Sequence, residues 1–262
     1  MSEESDFYVG YLPQAASALR QFLRKVVFAL ALLGILLALA LVLAQMPFAN
    51  SYFEFGKERD FEGTLITEPY PELLVRRPGQ TEPTQKASAY LLVGPGKHGA
   101  DALVRDFAGK EVHLRGQLIY RDGRTMVEVE PSSMRLTAIP AAALGEVRDL
   151  GPMTLNGEIV DSKCYLGVMN PGQGKVHRDC ASRCLSGGIP PLFIESDNGR
   201  QFLLVAQDGR ALRYEAFKEF IAEPISLSGE LVQRGDARVL GIDPSQLRHN
   251  SEMNQRNGKQ TK

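Results

Sequence analysis

VHLRGQLIYRDGRTMVEVEPSSMR, residues 112–135, and ISLSGELVQRGDARVLGIDPSQLR, residues 225–248, align without a gap at an offset of 113. Leu114, Gly116, Leu118 and Arg121 recur as Leu227, Gly229, Leu231 and Arg234, and Pro131, Ser132 and Arg135 recur as Pro244, Ser245 and Arg248. Val112 and Val129 keep their apolar character as Ile225 and Ile242. Each segment reads as a β-hairpin, with its turn at Asp122-Gly123 in the first copy and at Gly235-Asp236 in the second. Seven identities in 24 positions need support from what precedes them. Leu91, Leu92 and Val93 match Leu203, Leu204 and Val205 at nearly the same offset, and Gly63 opening GTLITEPY resembles Gly157 opening GEIVDSKCY.

The shared order is two short strands, a third carrying LLV, a short helical piece and a final hairpin. Helical pieces are expected at Ala102 to Phe107 and at Ala211 to Ile221, where Leu212, Phe217 and Phe220 can share a side. Five strands with a helix between the third and fourth are the order of an OB-type barrel. The fold expected is therefore mainly β: an N-terminal transmembrane helix followed by two tandem OB-like barrels, at 51–137 and 154–249. Gly in each hairpin permits a bend or bulge. Residues 138–153 (LTAIPAAALGEVRDLGPM begins two residues earlier) form a partly apolar linker, and 250–262 a polar, flexible tail.

Ahead of the barrels, Val26 to Ala44 is an uncharged run of Leu, Ala and Val. At about 1.5 Å per residue it reaches roughly 28 Å, the hydrocarbon thickness of a bilayer. A membrane helix is expected over 26–46, since only a helix lets one segment keep its backbone paired in lipid. Gln45, Met46 and Pro47 follow it in place of a small-x-small cleavage site, so an uncleaved anchor is expected. Arg20, Arg24 and Lys25 precede the run, whereas Lys57 and Arg59 beyond it are diluted by Glu54, Glu58 and Asp60. That bias sets residues 1–25 in the cytoplasm and the rest outside, as in a single-pass protein of a bacterial inner membrane with a periplasmic or extracellular main domain. Phe48, Tyr52, Phe53 and Phe55 suit the far interface.

Lys plus Arg number 30 against 31 Asp plus Glu, so no strong field exists to gather a nucleic-acid backbone. Neither unit interleaves a basic stripe with aromatics, and no nucleic-acid partner is expected. Ser162 and Ser186 lack a nucleophile elbow, and no acid and base pair stands out; catalytic residues are not assigned and an independent enzyme is not expected. His98 sits in GPGKHGA, a loop that either offers backbone N–H groups to an anion or simply marks a turn.

The second unit departs from the first by an insertion spanning 161–191, DSKCYLGVMNPGQGKVHRDCASRCLSGGIPP, which holds all three cysteines. If Val176 to Leu185 is helical, His177, Cys180 and Cys184 stand at i, i+3 and i+7 on one side. Gly187 and Gly188 would stop that helix, Pro190 and Pro191 would keep it from resuming, and Cys164 would approach across the loop Gly167 to Gly174. Cys164, His177, Cys180 and Cys184 then form a candidate metal set, for zinc or copper, in the pattern C-x12-H-x2-C-x3-C. Zinc would lock the loop. The competing reading is a disulfide from Cys164 to Cys180 or Cys184, with one thiol over. CASRC lacks the C-x-x-C-H spacing of covalent haem.

Cys180, Cys184 and His177 resemble the ligand pattern of copper-delivery proteins of the Sco family, without its thioredoxin-type surroundings. The cysteine block, with FEGTLITEPYPELLV and YLLVGPGKHGA, resembles a family of bacterial inner-membrane proteins that share this anchor and region, which implies membrane residence. There is also a general resemblance to OB-fold periplasmic chaperones held by one N-terminal helix, as in haem delivery; their His and Tyr attachment motif is not matched here. Together these readings imply an accessory protein, held in the lipid bilayer by one helix, that binds a metal or supports electron transfer or assembly of a neighbouring membrane enzyme. The alternative is a structural subunit whose insertion is a disulfide-stapled partner surface.

Overall fold

A computed structural model describes residues 16–45, 51–77, 87–138 and 147–249. The first unit is one helix, α1 (Ser17–Gln45). It is long and apolar enough to cross a membrane, and no part of its most apolar stretch is covered by protein. A helix apolar on all sides needs an apolar surrounding.

The two barrels together make the second unit. In the first, β1 (Ser51–Ile66), β2 (Glu72–Arg76), β3 (Ala87–Val93), β4 (Glu111–Arg121) and β5 (Arg124–Val129) run in the order β1-β2-β3-β5-β4, and β4 closes back on β1. Only β3–β5 is parallel; the other pairs of the barrel are antiparallel. The short helix α2 (Asp101–Val104) and a 3-10 turn, Arg105–Phe107, sit between β3 and β4 as the sequence predicts. A two-residue strand, β6 (Arg135–Leu136), adds to β4.

The second barrel repeats this wiring with β7 (Val147–Asp161), β8 (Pro191–Glu195), β9 (Gln201–Ala206), β10 (Ile225–Arg234) and β11 (Ala237–Ile242), ordered β7-β8-β9-β11-β10, with β10 back on β7 and the short β12 (Arg248–His249) at its side. β7 begins at Val147, inside the stretch expected to be linker. Residues 139–146 of that stretch, the tail 250–262 and the interfacial Phe48 lie outside the described residues. In place of one helix over 211–221 there are two 3-10 turns, Tyr214–Ala216 and Lys218–Phe220. They still deliver Phe217 to the core.

The aligned hairpins occupy matching positions. Gly116 faces Val129 and Gly229 faces Ile242. A Cβ on either glycine would lie 2.4 Å from a carbonyl oxygen of the partner strand, so both are needed for close approach. The bulges lie a short way along the paired strands, in β1 between Phe53 and Glu58 and in β7 opposite Leu231 and Val232.

The recurring LLV has a direct cause. Strand side chains alternate, so the middle residue points opposite to its neighbours. Leu92 enters the first barrel's core with Leu65, Leu114 and Val127, and Leu204 enters the second with Ile159, Phe193 and Phe217. Leu91, Val93, Leu203 and Val205 all join a third cluster shared by the barrels. These two strands are therefore buried on both sides, which is why they read as continuous apolar runs. At this seam the Tyr70 hydroxyl donates to the Leu204 carbonyl at 2.9 Å and accepts from Leu212 N–H at 3.0 Å. Burial raises its pKa, which keeps it a donor.

Candidate metal centre

Between β1 and β2 the chain turns in five residues, Thr67 to Pro71; the equivalent connection from β7 to β8 runs from Ser162 to Pro190. That extension opens with an irregular helical turn, Cys164–Val168, and continues through a 3-10 turn, Lys175–His177, into α3 (Arg178–Ser186). Gly187 N–H bonds the Arg183 and Cys184 carbonyls and Gly188 N–H that of Leu185, ending the helix where the glycines predict.

Asp161 is the last residue of β7 and fully buried. Its Oδ1 accepts the Cys164 N–H at 2.8 Å, three residues on, in the way a capping aspartate holds a first turn. Its Oδ2 lies 2.9 Å from His177 Nε2. Cys164 Sγ stands 3.9 Å from Cys180 Sγ and 3.9 Å from Cys184 Sγ, with all three sulfurs within 4.8 Å of one another. The structure thus brings the three cysteines together. It places His177 with Asp161 and Cys164 in a second group, and not with Cys180 and Cys184. Cys164 and Cys184 are buried, Cys180 is half-buried, and all three are free. A disulfide requires about 2.05 Å.

Sequence reasoning missed two lysines. Lys97, from the first barrel, donates to Cys180 Sγ at 2.7 Å and reaches Cys184 Sγ at 3.8 Å. Lys163 is 2% exposed; it pairs with the Glu128 carboxylate and donates to the carbonyls of Gly94 and Gly96 at 2.8 and 2.6 Å. The GPGKHG loop therefore turns carbonyls toward a cation. The anion reading of that loop named N–H groups, which is the opposite polarity. Its backbone also meets the end of the insertion: Gly99 N–H donates to the Gly187 carbonyl at 2.9 Å. A Cβ on Gly187 would lie 2.0 Å from the Lys97 carbonyl, and one on Gly99 would lie 2.4 Å from that of Gly188. Only glycine lets the two strands of loop pass so close. A signal for these residues was present in DSKC, where an aspartate three before a cysteine marks a capped turn, but nothing local links Lys163 to Gly94.

The electrostatics favour thiolate at one edge of the cluster. The hydrogen bond from Cys164 holds the Cys184 pKa down, with Lys97 adding to this. The same bond, together with burial and Asp161, pushes the Cys164 thiol up. The bond to Cys180 raises Lys97 and keeps it an ammonium. A low-pKa thiol beside a lysine is the environment in which cysteine becomes a ligand or a nucleophile.

The spacing also suits a metal. Thiolates 2.3 Å from a tetrahedral zinc lie about 3.8 Å apart, against the 3.9 Å found here. The three-cysteine group and the Asp161, Cys164, His177 group could each hold an ion. A separate cleft of about 710 Å³ lies among the hairpin turns of both barrels, but Asp236 and Glu195 already pair its Arg77 and Arg200. The double barrel is compatible with the OB-like resemblance, and no family model, curated protein or solved structure matches the chain.

Proposed function

We propose that this protein is a membrane-tethered accessory protein whose double barrel lies outside the cytoplasm and binds a zinc or copper ion through Cys164, Cys180 and Cys184, in support of electron transfer or assembly of a neighbouring membrane enzyme. The observation that carries this is the convergence of three sulfurs at 3.9 Å spacing beside a lysine. The positive flank Arg20, Arg24 and Lys25 supports the stated orientation.

The test is metal content and free-thiol count on the purified chain, repeated with Cys164→Ala and Cys184→Ala. One equivalent of metal in the native protein, lost from both variants, is expected. A second reading is a disulfide-stapled structural subunit, favoured by Cys164 lying equally near both partners; a bond to either needs about 1.9 Å of movement. Metal-free protein with a single reactive thiol would select it. Orientation is checked by protease digestion of intact spheroplasts, which should cut the barrels and spare the first 25 residues.

A further inference from the structure

We infer that the cysteine cluster is a three-coordinate, all-thiolate site for a soft monovalent cation, Cu(I) in chemical class, with Lys97 of the first barrel occupying the place a fourth ligand would take. This rests on the metal reading above and adds the ion and the role of the neighbouring barrel.

The donors within reach of the sulfurs decide the ion. Zinc in a structural site takes four ligands. Three are the sulfurs. Asp161 has both oxygens committed, to the Cys164 N–H and to His177, and is sealed at 0% exposure. His177 engages Asp161 through Nε2 and groups with Asp161 and Cys164, not with Cys180 and Cys184. Among the described residues the remaining group is Lys97, which is exposed and whose Nζ is 2.7 Å from Cys180 and 3.8 Å from Cys184. An ammonium has no lone pair to give, so Lys97 stands against Cys180 and Cys184 without ligating. It also contributes a positive charge where three thiolates around a monovalent ion leave a net charge of −2, and soft thiolates are the donors that select Cu(I).

Binding forms three Cu–S bonds, and the S–H protons still present are released to the buffer; no electron is transferred. His177 is then a positioning residue: through Asp161 it fixes the N–H of Cys164, hence the sulfur. Lys163 has the same kind of role for Lys97, because it holds the carbonyls of Gly94 and Gly96 just ahead of it.

The experiment uses the full chain in detergent without oxygen, loaded separately with Cu(I) and with Co(II), the latter as a coloured stand-in for zinc. Copper-edge absorption should give three sulfur scatterers and no nitrogen or oxygen, unchanged in His177→Gln. Wild-type protein should show no intense tetrahedral Co(II) bands. Lys97→Ala admits water as a fourth ligand and should produce them, with Co(II) bound more tightly than by the wild type; Lys97→Arg should behave as wild type. A nitrogen scatterer lost in His177→Gln, or four-coordinate Co(II) in the wild type, overturns this inference and leaves the metal reading standing. Failure to hold one equivalent of either ion overturns both.

Discussion

The two barrels share wiring, hairpin glycines and an LLV strand, yet only the second carries chemistry-bearing side chains in its first connection. Where the first barrel crosses from β1 to β2 in five residues, the second uses the same interval for a helix, two turns and three cysteines. The extension does not disturb the barrel, because it starts after Asp161 and rejoins at Pro191, leaving the β7–β8 ladder in register. A strand connection can therefore grow a site while the ladders on either side keep their pairing. The first barrel's share in that site is a loop, supplying Lys97 and receiving Lys163.

The comparison can be broken most sharply at Lys163. Replacing it with Met strands Glu128 at the seam, and loss of one partner of a buried pair costs about 3–5 kcal/mol. Denaturant unfolding should show this, and the double variant Lys163→Met with Glu128→Leu should recover most of it. If the single variant is neutral, the two barrels do not depend on this contact. Metal removal comes next. With free ion at about 100 times its dissociation constant, chelation should lower stability by about 2.7 kcal/mol. Hydrogen exchange should place the loss in β7, β8 and α3, with the first barrel's core unaffected; equal loss in both would erase the distinction between them.

Tyr70→Phe tests the seam without touching the sulfur cluster. It leaves the Leu204 carbonyl and the Leu212 N–H without their partner, at a cost of about 1–3 kcal/mol, while metal content stays at its native value. The smallest effect concerns matching positions after the strand glycines, Thr64 in β1 and Glu158 in β7. Burial raises the Glu158 pKa, outweighing its bond from Gly174 N–H. The folded state thus favours the protonated acid, so its stabilising share is complete below the unfolded carboxylate value and is lost as pH rises through the folded one. Glu158→Gln should flatten that part of the stability profile, measured by thermal unfolding across acid to neutral pH. Thr64→Ser, at the corresponding position, should leave it unchanged.

The duplicated barrels were legible because their signals are local. Turn glycines, alternating apolar residues and the LLV run each report on a few neighbouring positions, and together they gave five strands in each half. The cysteines were legible as a group for the same reason, within one insertion. What could not be read was pairing across the seam. Lys163 looks like a solvated lysine beside Cys164, and its burial depends on carbonyls nearly 70 residues earlier in the chain. Lys97 stood in a loop interpreted through His98, although the lysine next to it makes the contact. The place of His177 was half legible: its spacing set it near the helix of Cys180 and Cys184, but the 3-10 turn Lys175–His177 before α3 leaves its ring on Asp161. The helix expected over 211–221 fell to two tight turns that bury Phe217 with fewer residues.

The order of the chain gives the Lys97 contact one more meaning. A ribosome finishes the lysine loop and the five strands of the first barrel before it adds Cys164, so the partner of the sulfurs is already made when the first of them emerges. The thiols then need only fold onto a surface already in place. A newborn chain arranged the other way round would carry bare sulfur through most of its synthesis, open to whatever oxidant or stray ion it met first.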